Sequence, residues 1–147
     1  HYRFSDRFDV RYQISEDCMG MLVPKMVLQP IIENAIVHGI EQQSGFCHLE
    51  VGAHRDGPTL HLTVQDDGVG IPEDTLAALN EKLHSHQRSK HGETDNASHI
   101  GILNVDSRIK LLYGQEYGIT LASRAGRGTL VTIKLPVQEE VTPCARL

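Results

Sequence analysis

The sequence has little cysteine, no concentrated positive charge and no long apolar run, and each shortage closes a class of function. Cys18, Cys47 and Cys144 form no C-x-x-C pair and no regular spacing, so they read as reduced thiols and not as a disulfide framework or a zinc site. The 14 Lys and Arg against 19 Asp and Glu leave a net charge of −5, without the basic footprint of a nucleic-acid module. Apolar runs break after a few residues, too soon to span a bilayer, and no secretory signal pattern opens the chain. The familiar nucleotide and hydrolase signatures are missing as well. There is no G-x-x-x-x-G-K-[ST], no third glycine after Gly68-Val69-Gly70, no G-x-S-x-G elbow and no H-E-x-x-H. What is present is a chain of 147 residues, 39% apolar. That is enough for one ordinary domain with one core, expected to be mildly acidic, intracellular and α+β.

Along the chain, Phe8, Val10, Tyr12 and Ile14 recur at period two, which predicts a strand with one buried face. Val27, Leu28, Ile31, Ile32, Ala35 and Ile36 then recur at helical spacing, as one apolar stripe. Pro24 suits the first turn of that helix and Gly39 its C-terminal cap. Pro30 should kink the helix or mark a delayed start. Cys47 to His54 and Thr59 to Gln65 alternate, with Asp56-Gly57 as a hairpin turn between them. A helix follows over roughly 73–84. Residues 85–99 are polar and read as a long loop or lid. The next helix runs over 101–113, with Ile102, Val105, Ile109 and Leu112 inward and Ser98 as its cap. Two final strands, 117–123 and 129–135, precede a short polar tail over 137–147 that is expected to fray. This order is not a regular βαβ alternation, so a mixed sheet covered by helices on one face fits better than a doubly wound parallel sheet.

Four segments could carry chemistry, and each has a plain structural explanation when taken alone. Asn34 and His38 are four apart on the first helix and share a face; an amide oxygen there can ligate Mg²⁺, which takes few protein ligands. Asp66-Asp67-Gly68-Val69-Gly70-Ile71 follows a strand, so a carboxylate could accept a hydrogen bond from an exocyclic amine while glycines let a flat base approach. Ile100-Gly101-Ile102-Leu103-Asn104 opens a helix whose free N–H groups suit phosphate. Gly126-Arg127-Gly128-Thr129 is a glycine turn entering a strand.

Taken together and in this order, the four segments resemble the ATP-binding domains of the gyrase, Hsp90 and histidine-kinase superfamily, the Bergerat fold. Within it, Val23-Pro24-Lys25, Leu28-Gln29-Pro30-Ile31-Ile32-Glu33-Asn34-Ala35 and His38-Gly39 resemble the LytS/YesM-type bacterial sensor histidine kinases. So do Gly101-Ile102-Leu103-Asn104-Val105 and Leu112-Tyr113-Gly114. The resemblance covers residues 3 to 136. It implies a two-layer α/β sandwich as one ATP-binding catalytic domain over 1–136, with a lid over about 85–99. It further implies that Asn34 ligates Mg²⁺, with Glu33 beside it as base or orienting group, and that His38 sits near the phosphates or sugar. Asp66 would hold the adenine amine, with Gly68, Gly70 and Ile71 around the base. Gly101, Ile102 and Leu103 would give backbone N–H groups to phosphate, and Thr129 would reach toward adenine.

The implied activity is transfer of the γ-phosphate of Mg-ATP to a histidine on an upstream dimerisation domain, in cis or in trans, with a response regulator downstream. The implied location is a cytoplasmic domain of a membrane-anchored receptor. None of the nine histidines has the Pro-His-Phe context of the family's phosphoacceptor, so the chain reads as an excised catalytic domain that binds ATP without phosphorylating itself. No nucleic-acid or membrane partner is expected for this segment. Three positions depart from the family pattern. Val37 stands where lysine is frequent, Asp67 where asparagine is frequent, and His99 at the first glycine of the lid-end G-x-G, where it should stiffen the hinge. The alternatives are a non-catalytic nucleotide-binding or interaction domain, an anti-sigma-type serine kinase of the same superfamily, and metal binding by His84, His86, His91 and His99.

Overall fold

The computed structural model describes residues 2–4, 8–21, 23, 25–40, 45–84 and 99–138. In chain order the elements are β1 (Tyr2–Phe4), β2 (Phe8–Ile14), a 3₁₀ turn (Glu16–Cys18), α1 (Lys25–Asn34), a π-helical continuation (Ala35–Ile40), β3 (Cys47–Asp56), β4 (Thr59–Asp66), α2 (Glu73–His84), α3 (Ile100–Tyr113), β5 (Gly118–Arg124) and β6 (Gly128–Pro136). The strands form one six-stranded sheet in the order β1-β2-β3-β4-β6-β5. Only the β2/β3 pair is parallel; the other four are antiparallel. The architecture is therefore the expected α+β sandwich with a mixed sheet.

Alternation builds the central strands. Leu60, Leu62, Val64 and Asp66 of β4 are buried at every second position, as are Thr129, Val131, Ile133 and Leu135 of β6. A side-chain period of two sends all of these to one face. That face packs against Val27, Ile31 and Ala35 of α1, Leu79 and Leu83 of α2, and Ile102, Val105 and Ile109 of α3. The opposite face carries Thr63, His61 and Lys134, all partly exposed. The hairpin joining β3 to β4 turns at Gly57, whose φ of 57° is left-handed. Glu73 and Asp74 open α2, while Lys82 and His84 close it, which complements the helix dipole.

Several expectations need correcting. The first strand is divided into β1 and β2, and its apolar face is buried only in part: Tyr12 and Ile14 are 51% and 41% exposed, at the end of β2 that pairs with β3 but lies past the pairing with β1 at Phe8–Val10. The helix starts at Lys25, five residues before Pro30, so this proline does not delay it. Gly39 lies inside the π segment, so the helical winding does not stop at it as a C-terminal cap would require. Leu112, in the last turn of α3, is 61% exposed, and the inner face of the helix carries buried Asp106 beside Ile102, Val105 and Ile109. The residue preceding α3 is His99, which makes no side-chain cap hydrogen bond. The tail begins tied down, with the Val137 N–H donating to the Pro58 carbonyl (2.8 Å). The lid over 85–98, with His86, His91 and the Ser98 cap, and the tail from 139 onward lie outside the described residues.

Candidate functional site

Two turns at one end of the sheet interlock, backbone against backbone. The first, residues 66–71, leaves β4; the second, residues 124–128, joins β5 to β6. Gly70 (φ 73°) has no room for a Cβ, which would collide with the Arg124 carbonyl. Gly128 (φ 101°) is in the same position against the Asp66 carbonyl. Only glycine fits here, because both the left-handed φ and the close approach exclude a side chain. The Gly126 N–H donates to the Val69 carbonyl (2.7 Å) and fastens one turn to the other.

Side chains complete this clasp. The Ile71 N–H donates to Ser123 Oγ (2.8 Å), and the Ser123 hydroxyl donates to the Gly128 carbonyl (2.8 Å). Ser123 Oγ also lies 2.9 Å from Thr129 Oγ1. A serine has one proton to give, so in this bond the Thr129 hydroxyl is the donor. Toward the cavity Thr129 therefore offers lone pairs. Ser123 was not among the residues singled out in the sequence: a lone serine near a strand end carries no signal of its own.

Asp66 lies at the centre, 5% exposed. Its Oδ1 accepts the Gly68 N–H at 2.9 Å. Burial pushes its carboxyl above the ordinary aspartate value. The charge of Asp67 adds to this, and backbone N–H groups of Gly68 and Thr129 act against it. Asp67, where the family frequently has asparagine, repels the charge of Asp66, but it also has a positioning partner. Its Oδ1 accepts the His48 N–H (2.7 Å) and its Oδ2 lies 2.8 Å from His48 Nδ1, which holds the turn against β3.

Beneath this turn lies a cavity of about 270 Å³. Asp66, Gly70, Ile71, Pro72, Thr129 and Val131 line it from the sheet side. Ile31, Asn34, Ala35 and His38 line it from α1 and the π segment, and His99 from the start of α3. Winding changes between Asn34 and His38, yet both reach the same cavity. A more open cleft of about 410 Å³ over β2, β3 and β4, lined by Gln13, Ser15, Glu50, His54 and Thr63 among others, holds none of the residues singled out in the sequence.

Six singled-out residues thus meet at one place: Asn34, His38, Asp66, Gly70, Ile71 and Thr129. Gly68 is buried in the turn above them. The others lie elsewhere. Glu33 is exposed and accepts a hydrogen bond from Gln29 Nε2 (3.0 Å). Gly101, Ile102 and Leu103 form the first turn of α3 beside His99; Ile102 is fully buried in the core and Leu103 packs against it. Val37 is 45% exposed and does not line the cavity. Among the described residues no three His, Cys, Asp or Glu side chains converge as a metal cluster. An Mg²⁺ site fits the donor set in another way, through the Asn34 amide alone, with waters and ligand oxygens completing the shell.

A family model described as "Histidine kinase-, DNA gyrase B-, and HSP90-like ATPase" matches residues 23–139. Sensor protein LytS of Staphylococcus haemolyticus is 34% identical over 134 residues, 91% of this chain and 21% of LytS. Sensor histidine kinase YesM of Bacillus subtilis is 29% identical over 140 residues, 95% of this chain and 22% of YesM. The structure of full-length ShkA in complex with AMPPNP shares the fold with a TM-score of 0.61 at 19% identity, over 92% of this chain and 27% of that one. The chain spans about a fifth of the length of the curated relatives it matches.

Proposed function

The chain belongs to the histidine kinase-, DNA gyrase B- and HSP90-like ATPase family, and from that premise we propose that the cavity between α1 and the β4–β6 end binds ATP with Mg²⁺. One observation carries this reading: a buried carboxylate, Asp66, and a neutral amide, Asn34, face the same cavity from opposite layers of the fold. Asp66 accepts the hydrogen bond of the adenine amine, and the lone pairs of Thr129 face the same edge of the base. Gly70 keeps the backbone low enough for a flat ring, and Ile71 and Val131 give it apolar walls. Asn34 holds Mg²⁺, and His38 meets the phosphates or sugar. Gly101, Ile102 and Leu103 lie in the first turn of α3, the end of a helix whose backbone N–H groups suit phosphate oxygens.

Within a longer protein of the sensor histidine kinase type, this domain would supply the γ-phosphoryl group to a histidine on an upstream helical dimerisation domain, with a response regulator downstream. Such transfer asks little covalent chemistry of the protein, which aligns donor and acceptor and supplies hydrogen-bond donors to the phosphates. Mg²⁺, when bound, neutralises phosphate charge. Among the described residues no helix is long and apolar enough to cross a membrane; anchoring of a cytoplasmic kinase domain would fall to other segments. The exposure of Glu33, turned to Gln29 and away from the cavity, favours a second reading, nucleotide binding without turnover. Phosphotransfer to an added histidine domain separates the two.

The binding claim is tested by calorimetric titration with ADP and a non-hydrolysable ATP analogue, with and without Mg²⁺. The expected result is micromolar binding that Mg²⁺ strengthens, with the Mg²⁺ effect gone in Asn34→Ala. Equal affinity with and without Mg²⁺ in the parent would remove Asn34 from this role.

A further inference from the structure

His99 is the first residue before α3, and its imidazole is only 8% exposed. Its Nδ1 is buried and has no hydrogen-bond partner among the described residues. A buried polar atom without a partner costs about 1–3 kcal/mol, and such orphans in a fold invite an explanation. The ring stands against His38, with centroids 5.5 Å apart and planes inclined by 50°. Both rings line the cavity that holds Asn34 and Asp66.

We propose that His99 is a further contact residue for the nucleotide's phosphates, forming with His38 a two-imidazole end wall to the cavity. The inference rests on the nucleotide reading above and extends it to a residue that the four motifs did not include. The adenine end is occupied by Asp66 and Thr129, so the wall of Asn34, His38 and His99 is left for the sugar and phosphates. An imidazole nitrogen with no partner among the described residues suits a phosphate oxygen, either as an N–H donor or by taking up a proton and pairing with the anion. Among the described residues, the titratable groups that share this cavity with His99 are His38 from the π segment and Asp66 from β4; β6 contributes Thr129 and Val131.

A pH dependence follows. Without ligand, burial holds the His99 imidazole below its ordinary value, and the neighbouring His38 lowers it further. A phosphate beside it supplies the missing counter-charge and raises the proton affinity again. Phosphate binding is then linked to proton uptake, so affinity for phosphate-bearing ligands rises as pH falls from about 8 to about 6. Adenosine, which carries no phosphate, lacks this gain.

The test is an NMR titration of the parent, His99→Ala and His99→Asn with ADP and with adenosine, at about pH 8 and about pH 6. The nucleotide's own phosphate titrates in this range, so the gain is read as the difference between parent and variant. The expected result is that His99→Ala weakens ADP about tenfold at the lower pH and adenosine by less than about twofold. His99→Asn keeps a hydrogen-bonding edge without a titratable nitrogen; it should approach the parent at the higher pH and fall behind it at the lower. Three results would overturn the inference alone: ADP binding by His99→Ala within twofold of the parent, equal weakening of ADP and adenosine, or one shared pH profile for parent and His99→Asn. A parent protein that binds neither ligand overturns the nucleotide reading itself.

Discussion

Asp66 and Asp106 are buried to nearly the same degree, 5% and 4% exposed, and their surroundings differ in kind. Asp106 is closed in by its own protein: Lys110 Nζ lies 2.8 Å from its Oδ2, and the Ile119 N–H donates to its Oδ1 at 2.8 Å. The same Lys110 reaches the Leu83 carbonyl (2.5 Å), so this carboxylate ties α3 to β5 and, through the lysine, to α2. Asp66 meets backbone N–H groups but no cation among the described residues, faces a cavity, and is held above the ordinary carboxyl range by burial. A buried carboxylate with its counter-charge is part of the scaffold. One without it, opening onto a cavity, retains the capacity to take a donor from outside.

The comparison can be broken at several points. The largest effect belongs to the clasp that positions Asp66. Gly128→Ala should destabilise the fold by about 4 kcal/mol, since it meets both a left-handed φ and the Asp66 carbonyl. Gly126→Ala, also at positive φ but with nothing within 4 Å, should cost about 1 kcal/mol. Chemical denaturation of the two variants decides whether close approach or φ alone governs this turn.

Asp106→Ala should cost about 3 kcal/mol in the same measurement, because it strands Lys110 and the Ile119 N–H. Its nucleotide affinity, measured under conditions where it is folded, should stay within about twofold of the parent. Asp66→Asn should do the reverse, weakening ADP by about 100-fold through loss of a charged acceptor with little loss of stability. Its pH dependence has a definite sign. A carboxyl raised in the folded state contributes to stability most fully below its unfolded value, about 3.9, and that contribution is lost as pH rises through the folded value. The stability of Asp66→Asn relative to the parent should therefore grow from about pH 4 toward neutrality; a difference that shrinks over this range would contradict the burial argument.

The smallest effect checks the face of α3 on which Asp106 lies. Leu112→Ala should change stability by less than about 0.5 kcal/mol and Ile109→Ala by about 3 kcal/mol, as their exposures of 61% and 1% require.

That pair also shows where the sequence stops being legible. Apolar spacing placed Leu112 inward with Ile102, Val105 and Ile109, and could not see that the last turn of α3 leaves Leu112 exposed, nor that Asp106, paired with Lys110 at i,i+4, is buried on the inner face. Alternation in β3 and β4 was enough to find their hairpin, because both strands are covered on one side along most of their length. In β2 the same alternation overstated burial at Tyr12 and Ile14, because alternation does not say how far a neighbouring strand extends, and β1 pairs only with Phe8–Val10. Of the site, the residues that meet at the cavity were visible as motif members in a shared order. His99 was legible as a departure from the lid-end G-x-G and as one of four histidines that could share a metal, but not as a buried ring on the cavity wall, since a histidine's burial is decided by its neighbours in space. The change of winding after Asn34 left no trace in spacing or propensity.

The central claim is that Asp66 reads an exocyclic amine at the cavity's inner end, and the most direct measurement is the relative affinity of this chain for ADP and GDP. Adenine presents an amine to the carboxylate at the position where guanine presents a carbonyl oxygen, which leaves two acceptors facing each other in a buried site. The account predicts ADP binding tighter than GDP by about 100-fold or more, with the preference collapsing in Asp66→Asn. Equal affinities for ADP and GDP in the parent would contradict it.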